Sequence, residues 1–227
     1  MEEACPTVRL YSVALKWDFN PTPTELISLT AFYKLIKNPI SRIEVASAGG
    51  YLSYENIADK AKVAGVEVEV RKNLFVRPLS SAANGMNKLS FGLNGSYIYT
   101  NAKMPLATVT TGSQLEGAAP WIANFDLSHN FTKGNHSFIH TLVLNYVSDK
   151  IYTIGTQGYQ DIMEQGMMTL DFVSQAKLNK YVSLTLKARN LLNPSYKLSR
   201  KANESGEKVV LSDYKKEIGR ASCRERV

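Results

Sequence analysis

The chain has 227 residues, a formal net charge of +7 from 27 Lys and Arg against 20 Asp and Glu, and 44% hydrophobic residues. The cations are scattered, with no basic cluster interleaved with aromatics, which argues against nucleic acid. No apolar run approaches the roughly 18 residues of a transmembrane helix, but barrel strands alternate apolar and polar residues and leave no such run.

The opening residues, MEEACPTVRL, lack the basic-then-apolar layout of a signal peptide. With a strand beginning near Thr7, the native start is expected to lie upstream. Alternation sets in at once and recurs along the chain. In Leu26–Ile36, Ile27, Leu29, Ala31, Tyr33 and Leu35 fall on one face, and Ser28, Thr30, Phe32 and Lys34 on the other. Successive strand side chains point to opposite faces, so this segment has one apolar and one mostly polar side. In Ala64–Lys72, Val66, Val68 and Val70 alternate with Glu67, Glu69 and Arg71. In Leu89–Thr100, Leu93, Tyr97 and Tyr99 oppose Asn94, Ser96 and Thr100. Trp121, Ala123, Phe125 and Leu127 then oppose Asn124, Asp126 and Ser128. Finally Leu184, Leu186 and Ala188 alternate with Thr185, Lys187 and Arg189.

This pattern predicts an all-β fold: an antiparallel meander of about nine long strands, near 7–18, 25–37, 61–74, 88–101, 120–131, 136–150, 167–178, 181–194 and 208–216, without parallel pairing. Connections at 20–24, 132–135 and 179–180 are tight, and 75–87 is a longer turn. Those at 38–60, 102–119, 151–166 and 195–208 are long. Short turns at one end and long loops at the other are the asymmetry of outer-membrane barrels. Several strands exceed the five or six residues usual in soluble sheets. The aromatics Tyr97, Tyr99, Trp121, Tyr146 and Tyr196 near strand ends suit an interfacial girdle.

Two cysteines, Cys5 and Cys223, and three histidines supply neither a disulfide framework nor a zinc site. His129, His136 and His140 gather about one tight turn beside Ser128 and Ser137. A hydrolase needs its nucleophile, base and orienting group held in a cleft, and such a turn offers none. No cofactor motif is present, and the chain is not expected to be an enzyme.

Four segments carry a resemblance. FYKLIKNPI (Phe32–Ile40), AKVAGVEVEVRKNL (Ala61–Leu74), IYTIGTQGYQDIMEQGMMTLDFV (Ile151–Val173) and SLTLKARNLLNPSY (Ser183–Tyr196) resemble, in order, successive parts of the C-terminal barrel of TonB-dependent outer-membrane receptors. The second departs from the family in having Ala64 where Tyr is frequent. From the resemblance, residues 1–216 would be the C-terminal part of such a barrel, incomplete at both ends, in a protein of about 22 strands closed around a plug. It implies active uptake of a scarce solute (siderophore, corrinoid, glycan or peptide) into the periplasm. The partners it implies are outer-membrane lipid, the plug domain, TonB and the barrel assembly machinery. A non-transporting barrel or surface-binding β-protein is the alternative, and an upstream plug domain would separate the two.

On this reading Glu67, Glu69, Arg71, Lys187 and Arg189 face the lumen, because a charge facing lipid costs about 2–4 kcal/mol at mid-membrane. Tyr152, Tyr159, Asp161 and Glu164 lie in a long loop suited to ligand contact.

The last ten residues, IGRASCRERV (Ile218–Val227), resemble the translation of a common sequencing adapter. That resemblance implies that 217–227 is a non-native tail and that Cys5 is the one native cysteine.

An arc of nine strands keeps two edges of unpaired backbone groups, which template aggregation in water and are costly in lipid. Residues 1–216 expressed alone are therefore expected to give no soluble, cooperatively unfolding monomer. A sharp thermal transition without detergent would contradict the barrel reading.

Overall fold

The computed structural model describes residues 7–45, 51–56, 58–79, 85–103, 114–156, 159–179, 181–202 and 207–215. The cysteines and the 217–227 tail lie outside them. The described residues form strands and turns without a helix. They contain fourteen strands: β1 (Arg9–Phe19), β2 (Leu26–Lys37), β3 (Ile40–Glu44), β4 (Leu52–Asn56), β5 (Lys60–Leu79), β6 (Gly85–Ala102), β7 (Trp121–Lys133), β8 (His136–Val147), β9 (Lys150–Gly155), β10 (Ile162–Glu164), β11 (Met167–Lys177), β12 (Ser183–Ala188), β13 (Ser195–Lys201) and β14 (Lys208–Lys215).

Eight of these make one sheet in the order β1-β2-β5-β6-β7-β8-β11-β12. Every pairing in it is antiparallel. The sheet is open, with β1 and β12 as its edges. The remaining six, β14-β13-β10-β9-β3-β4, continue the upper ends of the long strands.

Eight of the nine expected strands form the meander, and the ninth, β14, pairs instead with β13 in the second sheet. There are three further differences. Three of the four segments expected as long loops, 38–60, 151–166 and 195–208, contain short strands, because strands that leave the arc still have backbone groups to satisfy. The 75–87 turn is shorter than expected, since β5 runs to Leu79 and β6 begins at Gly85, past a bulge at Leu74. One pairing is parallel: Ile43 opposite Ile154 and Glu44 opposite Gly155. Both β3 and β9 rise from the arc in the same direction, so wherever they meet they must lie parallel.

Register fixes the faces, because residues directly opposite each other share a side of the sheet. Val68 pairs with Leu29 and Gly95, Gly95 with Ala123, Ala123 with Tyr146, and Tyr146 with Met168. On β11, Phe172 has the parity of Met168, and it pairs with Ala188. Val66, Val68, Val70, Leu184, Leu186 and Ala188 therefore lie on one face, as the sequence predicts. Glu67, Glu69, Arg71, Thr185 and Lys187 lie on the other.

The apolar face is open: Trp17, Leu29, Val68, Tyr97, Trp121 and Leu186 are all exposed. The polar face is covered at its upper end, where Leu115 and Ala118 fold onto Ile36, Ala61, Val63 and Ala102. The Leu115 amide donates to Thr100 Oγ1 at 3.1 Å, on the same side. The loop that carries Leu115 thus lies on the polar face.

Asparagines at positive φ mark where strands leave the arc. Asn38 (φ 51°) separates β2 from β3, and Asn190 and Asn193 (φ 58° and 45°) separate β12 from β13. Asparagine tolerates this left-handed conformation better than most residues. Local bonds hold it: Asn38 N–H donates to the Asp59 carbonyl at 2.9 Å, and Asn190 N–H to Asp171 Oδ1 at 2.8 Å. The Asn-Pro-Ile and Asn-Leu-Leu-Asn elements are thus strand exits. Gly134 (φ 59°) closes the two-residue hairpin between β7 and β8.

Gly65 has a different role. It sits opposite Phe32, whose ring covers it, and a Cβ there would lie 2.7 Å from the Tyr97 carbonyl oxygen. Gly65→Val should destabilise the sheet by about 1–3 kcal/mol, with partial recovery when combined with Phe32→Ala. Denaturant titration of the whole receptor in detergent measures both. An unchanged midpoint for Gly65→Val would show that the ring does not cover this position.

Candidate functional site

The best-packed region lies beyond the arc, where its upper strands and loops converge. Alternation within the five-residue β3 buries Ser41 and Ile43 and turns Arg42 and Glu44 to the other side. Ile43 packs with Ile151 and Ile154 of β9, the last two fully buried, and with Val45 and Met163.

Around this apolar centre the charged groups pair across loops distant in sequence. The Arg42 amide donates to Glu116 Oε2 at 2.9 Å, and its guanidinium is 3.7 Å from Glu116 Oε1. That guanidinium stacks 4.4 Å from the Tyr152 ring centre and 5.7 Å from that of Tyr54. Partial burial opposes its charge, yet the Tyr54 hydrogen bond and the nearby Tyr152 and Glu116 outweigh it and raise the pKa. Arg200 of β13 bonds Glu44 and lies over the Tyr159 ring at 5.3 Å. Burial lowers its pKa. Among the described residues, the buried Nε atoms of both arginines have no hydrogen-bond partner. Two donors of fixed direction are therefore unspent in this platform.

Tyr152, Tyr159, Asp161 and Glu164 all belong to the platform. Tyr152 and Tyr159 present their rings to the two arginines. Asp161 is buried, and its Oδ1 accepts the Gly155 amide at 2.9 Å, which shapes the β9–β10 connection. Thr156 Oγ1 ties the same connection to the Glu44 carbonyl at 2.6 Å. Glu164 joins Lys150 at 3.1 Å and accepts the Tyr196 hydroxyl at 3.3 Å. Tyr196, expected in an aromatic girdle, is thereby a platform residue, its ring tilted against that of Tyr214 at 4.9 Å.

The five charged strand residues do not converge. Glu67, Glu69 and Arg71 lie on β5, with an Arg71–Glu69 ion pair of 2.7 Å. Lys187 and Arg189 lie at β12 and just beyond, with β6, β7, β8 and β11 between. At about 4.8 Å per strand these groups are some 24 Å apart along the sheet.

The histidines are on the apolar face. His129 Nε2 lies 2.9 Å from Asn87 Oδ1, His140 Nδ1 lies 3.0 Å from Ser174 Oγ, and the two rings stack at 6.2 Å. Ser128 and Ser137 sit on the opposite face, where Ser128 bonds Thr141 at 3.2 Å. Strand parity therefore separates these serines from the imidazoles.

The model of the TonB dependent receptor-like β-barrel family matches residues 7–191. The chain belongs to that family. Nothing among the curated proteins or the solved structures matches it. TonB-dependent receptors are outer-membrane transporters, not enzymes, and membership implies partnership with TonB and a plug domain. The chain is the barrel region of such a receptor, and its long-loop end carries the arginine platform.

Arg42, Glu44, Tyr54, Glu116 and Arg200 were not singled out by the sequence. Each sits in a segment that reads as irregular loop, and the charged partners, Arg42 with Glu116 and Arg200 with Glu44, come from different loops. The alternation of ISRIE (Ile40–Glu44) was the one available signal.

Burial and the negative charge of Glu164 raise the Tyr196 pKa from 10.0 to about 12. Both oppose the phenolate, so the folded state holds its proton longer than the unfolded chain does. The contribution to stability is therefore unchanged below pH 10 and declines as pH rises from 10 to 12. In absorbance titration at high pH, wild type should show one phenol titrating near pH 12 that Tyr196→Phe lacks. A difference spectrum with its midpoint at the ordinary tyrosine value would show that Tyr196 does not meet Glu164.

Proposed function

We propose that this chain forms wall, lumen and outer loops of a receptor that imports a scarce solute, with energy delivered by TonB through a plug. The solute would be a siderophore, a corrinoid, a glycan or a peptide. The carrying observation is the apolar face, continuous in register across all eight strands of the arc. On β5 it is bounded by Lys62 and Lys72, ten residues apart with no bulge between. At about 3.3 Å per residue and a tilt of roughly 40°, that interval climbs about 25 Å, the height of an outer-membrane apolar band. The apolar face is then the lipid side, and Glu67, Glu69, Arg71, Lys187 and Arg189 face the lumen.

The platform supports binding at the outer loops. Arg42 and Arg200, backed by Tyr54, Tyr152 and Tyr159, offer guanidinium donors and aromatic faces on a packed base. Such a base lowers the ordering cost of binding. Assembly into the membrane would fall to the barrel assembly machinery.

Cysteine scanning of the whole receptor tests the wall assignment. With its native cysteines replaced by serine, Val68→Cys should resist a water-soluble maleimide in intact outer membranes. Glu67→Cys, its neighbour on the strand, should react at least tenfold faster. Equal rates at the two positions would overturn the reading.

A further inference from the structure

The upper margin of the apolar face carries an accumulation of positive charge that solute transport does not explain. Arg9 of β1 pairs directly with Lys37 of β2, and Lys37 directly with Lys60 of β5. One step down, Lys62 pairs with Asn101 of β6, and Lys103 follows β6. Directly opposed residues share a face, and by register this is the face of Tyr33, Val66 and Tyr97, the lipid side. Like charges directly opposite across strands are destabilising. Here three lie in one row with a fourth adjacent.

All five cations are exposed. Among the described residues none of them has an ion-pair partner, and Lys37 has only the Tyr11 ring, 5.7 Å away. Among the described residues Lys60, Lys62, Asn101 and Lys103 line a cavity of about 370 Å³, and Asp59 is the one carboxylate there. Immediately below come the exposed rings of Tyr11, Tyr33, Tyr97 and Tyr99, which suit the boundary between headgroup and hydrocarbon.

We propose that this cluster is a docking site for the phosphate-bearing headgroups of outer-leaflet lipids. The inference rests on the barrel-wall reading given above. Charge complementarity selects the occupant. A row of cations needs an anion, and the position above an aromatic band on the lipid side makes it one held by acyl chains. Those chains would lie against Val66, Val68 and Tyr97, while phosphate oxygens take donors from Lys60, Lys62, Lys103 and Asn101. Each basic side chain near a membrane surface adds measurably to such binding, and the cavity gives the headgroup a defined seat.

The test uses the whole receptor purified in neutral detergent, titrated with dimyristoyl phosphatidic acid, dimyristoylglycerol or inorganic phosphate, with thermal stabilisation as readout. Phosphatidic acid should bind at least tenfold more tightly than the diacylglycerol, and inorganic phosphate should not substitute for it. Lys37→Gln/Lys60→Gln/Lys62→Gln should weaken phosphatidic acid binding at least tenfold, and the corresponding triple Arg variant should retain it. Lys72→Gln/Arg77→Gln, at the other end of the same face, should change it less than twofold. Equal binding of the two lipids, full protection by free phosphate, or an unaffected Gln variant would each overturn the site. If Val68→Cys stays shielded in that variant while phosphatidic acid binds as in wild type, the lipid site alone fails and the barrel wall stands.

Discussion

Unbroken lateral hydrogen bonding between neighbouring strands governs the rest of this molecule. A chain crossing hydrocarbon has no water to satisfy its backbone groups, so each strand must find them in the strands beside it. The same ladder locks side-chain parity from β1 to β12. A slip of one residue anywhere would carry the valines to the polar face and the glutamates to the apolar one. Gly65 and Phe32 show how the ladder is kept tight where a side chain would obstruct it: the glycine lets Tyr97 approach, and the ring fills the space. The open edges at β1 and β12 follow from the same requirement, since an arc needs further strands to complete its bonding.

The ladder also determines where regular structure can stop. At Asn38, and at Asn190 and Asn193, left-handed residues turn strands out of the arc and fix the break with local bonds. Beyond those breaks, the same need for partners produces the second sheet. The parallel β3–β9 contact joins two loops whose parent strands are separated by β5, β6 and β7. The result is a packed base in which Ile43, Ile151 and Ile154 are buried while Arg42 and Arg200 are held by Glu116 and Glu44.

Charge is distributed in three tiers by this geometry. Ionic groups inside the arc remain dispersed along the wall. Those of the platform are concentrated, and each arginine is stacked on tyrosine. Those on the apolar face are absent from its middle and gathered at its margins, with Arg9, Lys37, Lys60, Lys62 and Lys103 above and Lys72 and Arg77 below. The three settings impose different solvation, so the same residue types serve a polar sheet face, a loop base and the margins of an apolar face.

The sequence by itself determined the long strands, their faces and the end that bears long loops. Each of these is a local consequence of a two-residue period and of turn chemistry. It placed Val66 opposite in parity to Glu67, and the ladder could only preserve that. It also located Tyr152, Tyr159, Asp161 and Glu164 in one loop, though not their partners. Tertiary structure decided the parallel contact of β3 with β9, the packing of Leu115 on the polar face, the contact of Glu116 with Arg42, and the pairing of Arg200 with Glu44 across 156 residues. It likewise decided that Arg9, Lys37 and Lys60 stand in one row. Those contacts depend on which strands become neighbours and in what register, and no local pattern in a single segment encodes the segment that will lie beside it.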